Sequence, residues 1–177
     1  LGAQSSYFLI DQIPNTIGEA TSGAMLGYRA ACSAHYSFSS TLSLRTGLSY
    51  SLHRINWGFQ PYWVGGEQIY ELPYLSVALV AELTPTKRWH IIGGAEVARL
   101  LRPPSQDEEW QQSDISLLIG AGFAILPDLH INFEHALGLP RIGEGRFLAE
   151  ENRIDGVYYF RTRSIRVSLT YYFLGLK

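Results

Sequence analysis

The sequence holds one cysteine, Cys32, which excludes an internal disulfide framework and any cysteine-based zinc site. Charge is also scarce. Asp, Glu, Lys and Arg make up 17% of the residues, against roughly 25% in soluble domains. Disordered chains are charge-rich and aromatic-poor, so disorder is excluded, because aromatics reach 13%. The scarcest common residue is lysine, found only at Lys87 and Lys177, whereas a water-facing surface is normally built from Lys and Glu. A net charge of -2 offers no basic surface to nucleic acid, and none is expected as a partner. No run of about 18 apolar residues exists, which excludes a transmembrane helix. A transmembrane strand needs only about 9–11 alternating residues and is not excluded. Leu1-Gly2-Ala3-Gln4 fits the residues beside a signal-peptide cleavage site.

The 177 residues suffice for one domain, and period two dominates them. From Thr41 to His53, Leu42, Leu44, Thr46, Leu48, Tyr50 and Leu52 oppose Ser43, Arg45, Gly47, Ser49, Ser51 and His53. The same alternation predicts strands near 24–36, 74–83, 89–98, 115–125, 129–137 and 163–173. An eighth, around Tyr7 to Ile13, alternates poorly. Short connections are expected at Ser37–Ser40, Thr84–Arg88 and Pro127-Asp128, and long ones at Pro14–Gly23, Gly58–Gln68, Arg102–Gln112 and Gly138–Phe160. Long and short connections alternate strictly. An eight-stranded antiparallel up-and-down transmembrane β-barrel has this arrangement, with short periplasmic turns and long external loops. Residues 1–177 are read as one such outer-membrane domain, with both termini in the periplasm.

Alternation does not say which face is inward, since a soluble lipocalin-like barrel also alternates, with its apolar face inside. The polar face here is Gly, Ser, Ala and Thr with isolated charges at Arg29, Arg45, Glu82, Glu96, Glu134 and Arg166. Small residues with mutually neutralising charges suit a narrow lumen, and eight strands leave just enough interior for side chains to fill. Those six are therefore expected to form a lumen charge network. Trp57, Tyr62, Trp63, Trp89, Trp110, Tyr158, Tyr159 and Phe173 fall near strand ends, where aromatic girdles sit. Arg99, Arg161 and Arg163 fall outward near the long-loop ends, as candidates for lipopolysaccharide phosphate. Outer-membrane lipid is thus the first expected partner. Ala30, Cys32 and Ala34 form a small-residue outer face, and His135 is a polar ring on the same outer wall. Both are candidates for contact with another outer-membrane or periplasmic protein.

Four segments carry a family likeness: Glu71-Leu72-Pro73-Tyr74-Leu75, His90-Ile91-Ile92-Gly93-Gly94-Ala95-Glu96, Leu118-Ile119-Gly120-Ala121-Gly122-Phe123 and Arg166-Val167-Ser168-Leu169-Thr170-Tyr171-Tyr172-Phe173. Together they resemble the PorT-like outer-membrane β-barrel family of Bacteroidota, over most of the chain from about Leu26 onward. The resemblance implies a non-enzymatic barrel serving as anchor, scaffold or accessory subunit of a larger assembly, in secretion, gliding or barrel-assembly machinery. The ending also resembles the signal read by barrel-assembly machinery, departing from it in Leu174-Gly175-Leu176-Lys177.

A lipid-modifying outer-membrane enzyme is the alternative. Hydrolysis needs a nucleophile, a base and an orienting group in reach of one another. Glu134 and His135 are adjacent in a strand and point to opposite faces, and position 137, where a deacylase arrangement wants serine, is Leu137. His35, His53, His90 and His130 face inward and read either as an acid–base or metal cluster or as members of a satisfied polar network. We adopt the network, and with it no catalytic residue, no metal ligand and no cofactor. Gly93-Gly94 and Gly120-Ala121-Gly122 are not phosphate loops, since no helix follows them. Asp107-Glu108-Glu109 reads as a solvated acidic loop, because calcium requires more oxygen ligands than these supply.

Overall fold

The computed structural model describes residues 2–10, 20–59, 66–103, 109–139, 143–149 and 153–173. The described residues are all-β: β1 (Gly2–Ile10), β2 (Ala20–Ser37), β3 (Leu42–Phe59), β4 (Gly66–Leu83), β5 (Trp89–Leu100), β6 (Glu109–Trp110), β7 (Ser113–Leu126), β8 (Leu129–Gly138), β9 (Gly143–Ala149) and β10 (Arg153–Tyr171). They form one antiparallel sheet in the order β1-β2-β3-β4-β5-β7-β8-β10-β9-β6, which curls toward a barrel. Strand β1 also pairs with β10, from Gly2↔Ser168 to Ile10↔Phe160.

The sheet has ten strands rather than the expected eight, because β6 and β9 extend it beside β10. The expected long connections are correspondingly shorter. Strand β2 begins at Ala20, β3 reaches Phe59, β4 begins at Gly66, and Gly138–Phe160 contains β9 and the start of β10. The first strand, Gly2–Ile10, starts earlier than the expected Tyr7–Ile13 and contains its residues 7–10, while residues 11–13 lie outside the described residues. Pro73 explains one of these differences. Read as a strand opener, it lies inside β4, paired with Leu52 of β3. The pairing of β4 with β5 starts only at Tyr74, so Pro73 stands where its missing N–H breaks no ladder on that side. The short connections at 38–41, 84–88 and 127–128 fall where expected. In the first of them Ser39 Oγ accepts from the backbone N–H groups of Thr41 and Leu42 at 3.2 and 3.0 Å, a side chain substituting for backbone partners in a tight turn.

Polarity is inverted relative to a water-soluble fold. On the outer face Val77 is 55% and Ile119 60% exposed, with Leu48, Leu79, Ile91, Val97, Leu117, Ile165 and Leu169 exposed beside them. The buried residues on the inner face include Ser49, Ser51, Ser76, Glu82, Glu96, Asn132, Glu134 and Arg166. The inner face is not wholly polar. Ala78, Val80, Ile92, Leu118 and Ala136 form a buried apolar cluster there, and Ile55 and Leu72 are fully buried.

Candidate functional site

The inner face gathers its charges into two clusters. Glu96, on β5, is the centre of the first. Arg166, on β10, grips it bidentately, with Nη2 donating to Oε1 at 2.8 Å and Nη1 to Oε2 at 3.1 Å. Arg29, on β2, brings Nη2 to 2.6 Å from Glu96 Oε2. Arg166 Nε also donates to Ser164 Oγ at 3.1 Å. Planar guanidinium against carboxylate is the strong form of charged hydrogen bond. The second cluster centres on Arg45 of β3, whose Nε donates to Glu82 Oε1 at 2.6 Å and whose Nη2 donates to Glu134 Oε1 at 3.0 Å. His35 Nε2 lies 3.3 Å from Glu82 Oε2. The pairing is therefore two-to-one in both clusters.

Toward the short connections, His90 lies across β7 to reach β8. Its Nε2 is 2.8 Å from Asn132 Oδ1, and Asn132 Nδ2 donates to Thr170 Oγ1 at 2.9 Å. Gly122 makes this possible, because a Cβ there would collide with the His90 ring and Asn132. His130 stacks beside His90 with ring centroids 5.3 Å apart, and Tyr172 contacts both His130 and His35. Toward the long connections, Thr162 donates to Asp114 Oδ2, and His53 meets the Tyr74 ring edge-on at 5.1 Å.

Asp114, Tyr74, Thr162, Ser164 and Asn132 are the inner-face residues that sequence reasoning did not single out. Asp114 escaped because the alternation predicts this strand from Ile115, two residues after β7 begins. Its even number, shared with Ser116 and Leu118, was the available signal. Among the described residues no group of three or more His, Cys, Asp or Glu is placed to hold a metal ion.

On the outer face Arg99 is exposed and Arg161 and Arg163 are half-buried. They lie in register with Ser113, Leu9 and Leu137 respectively. Ala30, Cys32 and Ala34 are exposed. His135 is half-buried among Ile119 and Ile165, its register partners, and its Nε2 has no hydrogen-bond partner among the described residues. The aromatic residues Tyr36–Phe38, Trp89–Phe123 and Tyr171–Phe173 pair at ring distances of 5.0, 4.9 and 4.8 Å near the short connections. Of the rim aromatics expected from the sequence, Trp89 and Phe173 are exposed. The side chains of Trp57, Tyr62, Trp63, Trp110, Tyr158 and Tyr159 lie outside the described residues, as do those of Asp107, Glu108 and Glu109.

An exposed ion pair makes an internal contrast. Arg54 donates to Glu71 Oε1 through Nε at 2.9 Å and Nη2 at 2.6 Å, with both side chains about half exposed. Water screens such a pair, so Arg54→Ala is expected to change unfolding free energy by no more than about 1 kcal/mol. Equilibrium urea unfolding of the folded protein in micelles checks this.

The described residues form one antiparallel sheet that curls toward a barrel, apolar on its outer face and largely polar within. No family model and no curated protein matches the chain. Among solved structures it is similar to Ail, the attachment invasion locus protein of Yersinia pestis, in complex with the heparin analogue sucrose octasulfate. The identity is 13%, covering 96% of this chain and 93% of that one, with a TM-score of 0.50. Weaker likenesses are to a Pseudomonas aeruginosa FadL homologue (16% identity, 89% of this chain and 38% of that one, TM-score 0.41) and to the CymD monoaromatic hydrocarbon channel (17%, 90% and 39%, TM-score 0.37).

The likeness to Ail corrects the family reading drawn from the sequence: the fold is shared with Ail, and the PorT-like, Bacteroidota assignment is withdrawn. The reason is physical. The four segments quoted for that family are period-two strand stretches, three of which set small residues such as Gly94, Gly120, Gly122 and Ser168 inward against Ile91, Ile119 and Val167 outward, and a narrow barrel of any lineage demands that pattern.

Proposed function

We propose that the chain is a closed, eight-stranded, membrane-spanning barrel whose plugged interior makes it an anchor, scaffold or accessory subunit in the outer membrane, not a diffusion pore. The observation that carries the reading is the inversion of polarity, with Val77, Val97, Ile119 and Ile165 facing out while Glu96 and Arg166 are almost fully buried. In water such an apolar wall would be an aggregation surface; in lipid it is the required one. It also disfavours a lipocalin-like barrel, which keeps its apolar face inside. The pairing of β1 with both β2 and β10 supports closure, leaving eight strands in the ring and β6 and β9 outside it.

In this arrangement the short connections and both termini face the periplasm and the long connections face outward. Arg99, Arg161 and Arg163 offer guanidinium groups to lipopolysaccharide phosphate. Ala30, Cys32, Ala34 and His135 offer a protein partner a close approach and an unpaired ring nitrogen.

Purified protein reconstituted in planar bilayers tests the plug. The expected result is a band whose mobility on SDS gels changes on boiling, together with no large, steady single-channel conductance. Stable large conductance overturns the plugged barrel, and a boiling-insensitive band overturns the closed one.

A further inference from the structure

We propose that the inner face binds a single water molecule between Tyr74 and Asp114, beside the Glu96 ion-pair cluster. A cavity of about 10 Å³ lies there, lined by residues that include His53, Tyr74, Glu96, Asp114, Thr162 and Arg166. Tyr74 is 2% and Asp114 5% exposed. Tyr74 Oη and Asp114 Oδ1 have no hydrogen-bond partner among the described residues, while the other Asp114 oxygen accepts from Thr162. Two buried polar atoms without partners bordering one cavity are costly unless a ligand satisfies both.

The space has an identifiable origin. Tyr74 belongs to β4 and Asp114 to β7, and β5 runs between them. On β5 the register partner of Asp114 is Ala98, which also pairs with Ser76 and lines the cavity. A methyl group there leaves room that a longer side chain would fill.

Size and charge select the ligand. About 10 Å³ is the lower limit for one water, which needs two to four polar partners; anything larger is excluded. Arg29 and Arg166 contribute two positive formal charges, and Glu96 and Asp114 two negative ones. Their sum is zero, so a cation or an anion would add an uncompensated charge to a low-dielectric interior. A water balances: it donates to Asp114 Oδ1 and accepts from the Tyr74 hydroxyl.

A crystal structure that shows ordered solvent, combined with water-oxygen magnetic relaxation dispersion in micelles, tests the proposal. The expected result is one water within hydrogen-bond distance of both atoms, and the loss of one long-lived water in Tyr74→Phe. Should that variant fail to fold, Ala98→Ser places a hydroxyl in the same space and is expected to lose the same water. A direct Tyr74–Asp114 hydrogen bond with no water between them overturns the proposal. So does density that rubidium replaces, which marks a cation, or an unchanged water count in both variants.

Discussion

Replacing Glu96 with alanine is expected to lower the unfolding free energy by about 3–5 kcal/mol, the usual cost of leaving a buried charge without its partner. The effect should lie at the upper end, because one deletion strands two guanidinium groups. Arg166 loses a bidentate partner at 2.8 and 3.1 Å, and Arg29 loses a contact at 2.6 Å. Arg166 is 4% exposed and Glu96 3%, so water does not replace what is removed. The companion experiment separates the worth of the cluster from the cost of breaking it. Converting Arg29, Glu96 and Arg166 together to Met, Leu and Met removes every charge, and buried ionic groups exchanged for apolar ones of similar volume are often neutral or stabilising. The triple variant is therefore expected to recover most of the loss. Urea unfolding in lipid vesicles, followed by the boiling-sensitive gel shift, measures both. A loss below about 1 kcal/mol for Glu96→Ala would mean that the cluster is hydrated like an exposed pair.

That cluster also shows what a sequence can and cannot disclose. Side chains alternate across a strand, so the polar face containing Arg45, Glu82, Glu96 and Glu134 is legible residue by residue. The partner each charge meets is not, because it depends on the stagger between strands as the sheet curls. Arg45 and Glu134 are 89 residues apart, and Arg166 and Glu96 are 70 apart; no local pattern links them. The buried Val80, Ile92 and Leu118 illustrate a different limit. They sit on the same face as the charges, so the interior is partly apolar. Period two reports a side, not a composition. Strand length is hidden for another reason: Gly58 and Gly66 fall in the expected connection Gly58–Gln68 and Pro73 stands just before the expected strand, yet β3 and β4 stay paired from Leu42↔Leu83 to Phe59↔Gly66. Continuous ladder hydrogen bonds outweigh the weak strand propensity of single residues.

Gly93 and Gly94 are expected to respond in opposite ways to the same substitution. A Cβ built on Gly94 would collide with the backbone carbonyl of Leu79 and lie 2.8 Å from Val80 Cα. Gly94 is paired with Val80 of β4 and with Leu118 of β7, so it stands on the crowded inner face. Backbone atoms in a doubly paired strand cannot swing aside as a flexible side chain can. The added methyl must push β4 and β5 apart, at a cost of about 1–3 kcal/mol or more for an overpacked interior. Gly120 is built the same way against Phe133 and Glu134 of β8, and Gly120→Ala should follow Gly94→Ala. Gly93, one residue earlier, points to the outer face, where a Cβ meets nothing within 4 Å. There the substitution only reduces the freedom of the unfolded chain, and Gly93→Ala is expected to be neutral or to stabilise by up to about 1 kcal/mol. Unfolding measured for the three single variants under one set of conditions decides the matter. Equal effects at positions 93 and 94 would mean that the inner and outer faces of β5 are not distinguished by packing, and the inward placement of Glu96, two residues beyond Gly94, would fall with that result.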